Sequence, residues 1–212
     1  KRNVASSRSN AVPARRFCQS SSRCRSDRTS DARPAGNASP VVWGDRIFLT
    51  QPLDAKGHKR SLWCLDRATG KINWQHNPGY QQRSLGSPVF KDDVFFCTFG
   101  SGGGAKETAA IDLKGGKPKP LNLSLTKGLP YVPSPLVVGD YLYLLGDGGI
   151  LKCVEFKTGK EVYEERLNGS AGSSKFFSSP VAADGKIYCG SQMGDLIVVK
   201  AGPKFQQLSA SK

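Results

Sequence analysis

Four Ser-Pro dipeptides punctuate the chain at nearly even intervals: Ser39-Pro40, Ser87-Pro88, Ser134-Pro135 and Ser179-Pro180, separated by 48, 47 and 45 residues. A period of that size marks a repeat architecture, in which each unit buries its apolar face against its neighbours. It also moves the search for function away from the repeated framework and into the loops.

Aligned on Ser-Pro, the openings read SPVVWGDRIFLT, SPVFKDDVFFCTF, SPLVVGDYLYLLG and SPVAADGKIYCGS. Each is a short apolar strand, a Gly/Asp turn and a second strand rich in β-branched and aromatic residues. The turns Gly44-Asp45, Asp92-Asp93, Gly139-Asp140 and Asp184-Gly185 have the composition of tight hairpins. Proline is tolerated at the first position of a strand, before a ladder donor is needed. Third strands follow at Ser61 to Asp66, Ala109 to Leu113, Leu151 to Phe156 and Leu196 to Lys200. A turn and fourth strand are legible as ATGK then Ile72-Asn73-Trp74, and as KTGK then Glu161-Val162-Tyr163. The second and fourth repeats keep only fragments of this signal, Lys114 to Lys117 and Ala201 to Lys204. Four antiparallel strands per repeat of this length predict an all-β fold of propeller blades, near 39–80, 87–126, 134–170 and 179–209.

The net charge of +14 is unevenly spread. Residues 1–38 hold nine Lys or Arg against two Asp, so half of the excess sits there. This Ser/Arg-rich stretch is too poor in large apolar residues to offset its ordering entropy and reads as a disordered, solvated tail. The alternatives are an arm for nucleic acid or anionic lipid, or sequence foreign to the fold. Nucleic acid is disfavoured because no aromatic stacking partners interleave the arginines. No run approaches the 18 apolar residues of a membrane span, and the tail lacks the apolar core of a secretory signal.

The run Leu65-Asp66-Arg67-Ala68-Thr69-Gly70-Lys71-Ile72-Asn73-Trp74, downstream of Ser-Pro-Val-Val, resembles the repeat of pyrroloquinoline-quinone-type (PQQ-like) β-propellers. The resemblance covers residues 39–209 and is sharpest in the first repeat. In that family the glycine and the aromatic of neighbouring blades pack together, which implies blade-docking roles for Gly70, Trp74, Gly159 and Tyr163. Rings of that family resemble seven or eight blades, so four imply a partial propeller, a piece of a longer bacterial protein. Its open blade edges would be sites of self-association. The resemblance further implies a non-catalytic scaffold for protein or peptide partners in the periplasm or cell envelope. The alternative is part of a PQQ-dependent dehydrogenase whose catalytic blades, with quinone and calcium, lie elsewhere. Adjacent cysteines and a calcium-binding acidic cluster, which such enzymes carry, are missing from this sequence, so neither cofactor nor metal is expected.

The remaining residue signals are weak. Of the 6 cysteines, Cys97 and Cys189 occupy the register that other repeats give to Leu49 and Leu144. Cys64 and Cys153 occupy the register of Ala110. All four therefore read as core thiols, while Cys18 and Cys24 fall in the tail. His58 and His76 stand apart from any nucleophile motif and read as solvated. The glycine run from Gly100 to Lys106 lacks the Lys-Ser/Thr ending of a phosphate loop and reads as a hairpin tip. In the connecting loops ahead of three Ser-Pro marks, Arg83 and Lys175 each fall four residues before their Ser and Tyr131 falls three before. Two cations and an aromatic on one rim form a candidate binding site for an anionic ligand or acidic peptide.

Overall fold

In a computed structural model of the chain, the described residues are 39–53, 59–101, 104–123, 125–169 and 175–212. The tail with Cys18 and Cys24, and also His58, lie outside them. The described residues form four four-stranded antiparallel sheets, each a sequential meander. Blade 1 comprises β1 (Val41–Trp43), β2 (Arg46–Pro52), β3 (Arg60–Asp66) and β4 (Ile72–Tyr80). Blade 2 comprises β5 (Val89–Lys91), β6 (Val94–Ser101), β7 (Gly104–Asp112) and β8 (Lys119–Leu121). Blade 3 comprises β9 (Leu136–Val138), β10 (Tyr141–Leu145), β11 (Ile150–Glu155) and β12 (Glu161–Arg166). Blade 4 comprises β13 (Val181–Ala183), β14 (Lys186–Gly190), β15 (Leu196–Lys200) and β16 (Gln207–Ser211). The first strands β1, β5, β9 and β13 adjoin one another and form the inner edge.

The opening hairpins follow from their turn residues. Asp92 and Asp93 both adopt positive φ, 49° and 61°, as do Asp184 and Gly185. Two-residue loops of this hand match the twist of the flanking strands, and aspartate is among the few side chains that tolerate it. One backbone bond then recurs in every blade on this rim: the N–H groups of Arg67, Leu113, Phe156 and Ala201 donate to Asp45, Asp93, Asp140 and Gly185 carbonyls, at 2.7, 2.8, 2.9 and 2.8 Å. The second turn is also shared. Thr69 donates its amide and its hydroxyl to the Asp66 carboxylate at 2.7 and 2.6 Å, and the Thr158 hydroxyl donates to Glu155 at 2.8 Å.

Cross-strand register gives each blade two rows of side chains. The forward row, facing the next blade, is Val41, Phe48, Cys64 and Trp74 in blade 1. In blade 2 it is Val89, Phe96, Ala110 and Leu121, and in blade 3 Leu136, Tyr143, Cys153 and Tyr163. Blade 4 supplies Val181, Tyr188, Val198 and Ser209 at the same register. The rear row alternates with it, as period-2 strands demand. It is Val42, Ile47, Leu65 and Ile72 in blade 1, and Phe90, Phe95, Ile111 and Pro120 in blade 2. It is Val137, Leu142, Val154 and Glu161 in blade 3, and Ala182, Ile187, Val199 and Gln207 in blade 4.

Three cores result, each a forward row closed by the next rear row: blades 1 and 2, blades 2 and 3, blades 3 and 4. Phe48 stacks on Phe90 at 5.1 Å and meets Phe95 at 5.5 Å, while Tyr163 meets Phe205 edge-on at 5.6 Å. Burying one such ring contributes roughly 1.5–3 kcal/mol. Polar ties reinforce the inner edge. The Ser87 amide donates to the Ser134 hydroxyl at 2.8 Å, and the Ser134 amide to the Ser179 hydroxyl at 2.9 Å. The recurring serine is thus a clasp between successive blades.

The four cysteines among the described residues, Cys64, Cys97, Cys153 and Cys189, are free and buried in these cores. Burial raises their thiols, to about 11 for Cys153 and about 12 for Cys189, so they are poor nucleophiles. The fourth strands β8 and β16 lie where the repeat signal faded, and β16 runs to Ser211, beyond the expected end of that blade.

Candidate functional site

Two rims flank the blades, one made of the tight turns, the other of blade connectors. The three residues singled out by sequence lie on the connector rim, each tied to a different blade. Arg83 forms an isolated bridge with Gly100 at the end of β6, its amide donating at 3.1 Å and its carbonyl accepting at 2.7 Å. The Glu107 carboxylate on β7 accepts from the amides of Gln81 and Gln82 at 3.2 Å each, which fixes the approach to Arg83. Beneath it Tyr80 stacks on Phe99 at 4.2 Å. Beside Tyr131, the Val132 amide donates to Asp147 at 3.1 Å, beyond the end of β10. The Lys175 carbonyl accepts from the Gln192 amide at 2.7 Å, beyond the end of β14. Backbone thus sets all three on successive blades along one rim. The Arg83 and Lys175 side chains are exposed and Tyr131 is half-buried. No hydrogen bond or ion pair among the described residues joins the three into one cluster.

Gly70, Trp74, Gly159 and Tyr163, expected from the family resemblance to dock blades, fall into two environments. A Cβ placed on Gly159 would collide with the Leu123 carbonyl oxygen of blade 2, so the blade 2 backbone occupies the side-chain position. Gly70, at the same turn of blade 1, has nothing within 4 Å of such an atom. Tyr163 packs on Phe205 of blade 4, and Trp74 lies 6.1 Å from Phe48 within its own blade. His76 is on β4, half-buried, and burial lowers its pKa.

A second feature escaped the sequence. On the turn rim, a cleft of about 360 Å³ opens between blades 1 and 2, lined by Trp43, Arg46, Phe90, Asp93, Leu113 and Lys114 among others. Trp43 ends the innermost strand of blade 1. It leans on Phe90 with ring centroids 5.3 Å apart, yet stays 56% exposed. Arg46 stands beside it, 3.8 Å from Asp45. Trp43 and Phe90 give the cleft an aromatic floor, and its lip carries both signs of charge, Arg46 and Lys114 beside Asp45 and Asp93, which suits an aromatic side chain with polar flanks. The other blades place Lys91, Val138 and Ala183 at the Trp43 position, and that break in an otherwise repetitive register was the available signal.

Metal ligands do not assemble: among the described residues no three His, Cys, Asp or Glu side chains come together as a metal site.

No family model matches the chain, and no curated protein matches it. Solved structures do. BamB from Moraxella catarrhalis is 16% identical with a TM-score of 0.58 over 84% of this chain and 50% of its own. The computationally designed Ika4 protein is 13% identical with a TM-score of 0.56 over 80% of this chain and 92% of its own. A europium-containing methanol dehydrogenase is 14% identical with a TM-score of 0.58, over 86% of this chain and 42% of its own. The chain thus spans half the length of BamB. The fold it shares with these structures is the β-propeller, present here as four blades of four antiparallel strands.

Proposed function

We propose that this chain is a non-catalytic β-propeller repeat protein, a rigid platform for a protein or peptide partner in the bacterial periplasm or cell envelope. The observation that carries this reading is Trp43, held on Phe90 yet 56% exposed at the mouth of a cleft with Arg46 beside it. Tryptophan and arginine dominate the binding energy of protein interfaces, and a rigid sheet presents them at small entropic cost. The connector rim, with Arg83, Tyr131 and Lys175, adds cations for an acidic partner.

A library of random peptides displayed on phage supplies the test. Selected peptides should lose about tenfold or more in affinity against Trp43→Ala, and a smaller, salt-dependent amount against Arg83→Ala/Lys175→Ala. Peptides that bind all variants equally would sink the reading. The dehydrogenase alternative draws on the fold shared with methanol dehydrogenase. Stoichiometric binding of pyrroloquinoline quinone with calcium, seen as a bound-cofactor absorbance, would put it in place of the scaffold.

A further inference from the structure

We propose that Lys152, Glu161 and Glu164 form an ionic latch that fixes the connector between blades 2 and 3, and Tyr131 with it, in one position. Lys152 lies on β11, in a cross-strand rung with Leu144 and Glu164. At the same place in blades 2 and 4, opposite Cys97 and Cys189, stand the buried apolar residues Ala109 and Ile197. Lys152 is nearly as deep, with 6% of its side chain exposed. Its ammonium donates to the Glu161 carboxylate at 3.0 Å and pairs with Glu164. The connector passes over this cluster. Its Leu123, Leu125 and Leu129 are buried in the core shared by blades 2 and 3. A Cβ on Gly128 would come within 2.8 Å of Lys152 Cε and 3.0 Å of Glu164 Oε2, so the connector backbone rests on the ion pair. The φ of 65° at Gly128 is also one that glycine adopts without strain. Tyr131 follows in the same segment.

Stability does not account for a lysine in this slot. Desolvation consumes most of the Coulomb gain of a buried ion pair, and an apolar side chain of similar volume holds a fold as well or better. An ion pair adds direction instead. The ammonium is satisfied only while both carboxylates stay within reach, and stranding it below the connector is costly. The apolar contacts of Leu125 and Leu129 are non-directional and carry no such preference. Burial pulls the Lys152 pKa down, but the hydrogen bonds with Glu164 and Glu161 outweigh it and hold the ammonium above its ordinary value. Arg166, two residues beyond Glu164, is engaged with the Gly148 carbonyl at 3.0 Å, which leaves Lys152 as the cation of the cluster. On blade 2 the charged residues Lys91, Asp112 and Lys119 share one rung at the turn end of the facing row. That the fixed position serves a partner rests on the connector-rim reading above; the latch itself does not depend on it.

Limited trypsin digestion read by mass spectrometry supplies the test. Lys127 is exposed beside Gly128, and cleavage after it requires the connector to open. Lys152→Met keeps the volume and removes the charge. It should leave the urea midpoint unchanged or higher, yet speed cleavage after Lys127 about tenfold. Cleavage after Lys114, on the blade 2 turn, should not change. Glu161→Gln/Glu164→Gln strands the ammonium and should lower the urea midpoint, and adding Lys152→Met to that chain should restore it. Glu161→Gln alone should speed the Lys127 cleavage by a smaller factor, and it supplies the same readout should Lys152→Met not fold. Unchanged cleavage after Lys127, or equal acceleration after Lys127 and Lys114, would overturn the latch. So would a Glu161→Gln/Glu164→Gln chain as stable as wild type. The binding reading fails separately. Peptides whose affinity depends on Arg83 and Lys175 should also bind Lys152→Met more weakly. Unchanged affinity beside faster cleavage would remove Tyr131 from the binding rim and leave the latch standing.

Discussion

Gly159 and Gly70 occupy the same turn, with φ of 71° and 70°, and carry the same neighbours Thr and Lys. Local conformation demands glycine at both, because a side chain is strained in that region. Only at Gly159 does a second requirement apply, since the Leu123 carbonyl of the preceding blade fills the space of a side chain. The same contrast separates blade 3, covered on both faces, from blades 1 and 4, each covered on one. A repeat motif therefore specifies the blade, while its energetic weight depends on whether a neighbour is present.

The largest test of this contrast is alanine at the two glycines. Gly159→Ala must push blade 2 away and is expected to cost roughly 3 kcal/mol or more. Gly70→Ala carries only the backbone strain, about 1 kcal/mol, in urea unfolding of the single chain. Equal losses would break the comparison. A smaller effect compares the equivalent tyrosines of blades 3 and 4. The Tyr143 hydroxyl accepts from the Gly202 amide of blade 4 at 2.8 Å, so Tyr143→Phe should cost about 1 kcal/mol. Tyr188→Phe, on the uncovered face, should fall within about 0.5 kcal/mol of wild type.

The smallest effect is electrostatic and confined to the blade 1 turn. The Thr69 hydroxyl, then its amide, lowers the Asp66 carboxyl below its ordinary 3.8. Because the folded pKa lies below the unfolded one, the carboxylate supports the fold above that ordinary value. Its contribution disappears as pH falls through the lower, folded pKa. Asp66→Asn should therefore lower the urea midpoint slightly at pH 7, and the gap to wild type should close on acidification. A gap that persists at low pH would show that the loss is steric.

The sequence announced the blades because Ser-Pro, the Gly/Asp turns and the alternating apolar residues are local signals. The first three strands of each blade needed nothing else. Strands β8 and β16 were hard to read because Leu121 and Ser209 stand where blades 1 and 3 carry an aromatic, and their pairing comes from the neighbouring strand. The four core thiols were legible by register, since Leu and Ala fill equivalent slots. Trp43 was not: in SPVVW it reads as one more strand residue, and its exposure is a property of the inner edge. Arg83, Tyr131 and Lys175 were placed on one rim by the repeat, but register carries no information on how far apart side chains on different blades lie.

The serine clasp has a consequence for how such a chain changes length. Ser134 uses two groups, an amide given forward to Ser179 and a hydroxyl offered back to Ser87. A unit that gives and receives through one residue is compatible with any copy of itself, on either side. Duplicating or deleting a whole repeat of DNA would preserve every such joint, with no compensating substitution. The joint at Ser134 therefore places no demand on which repeat precedes or follows it.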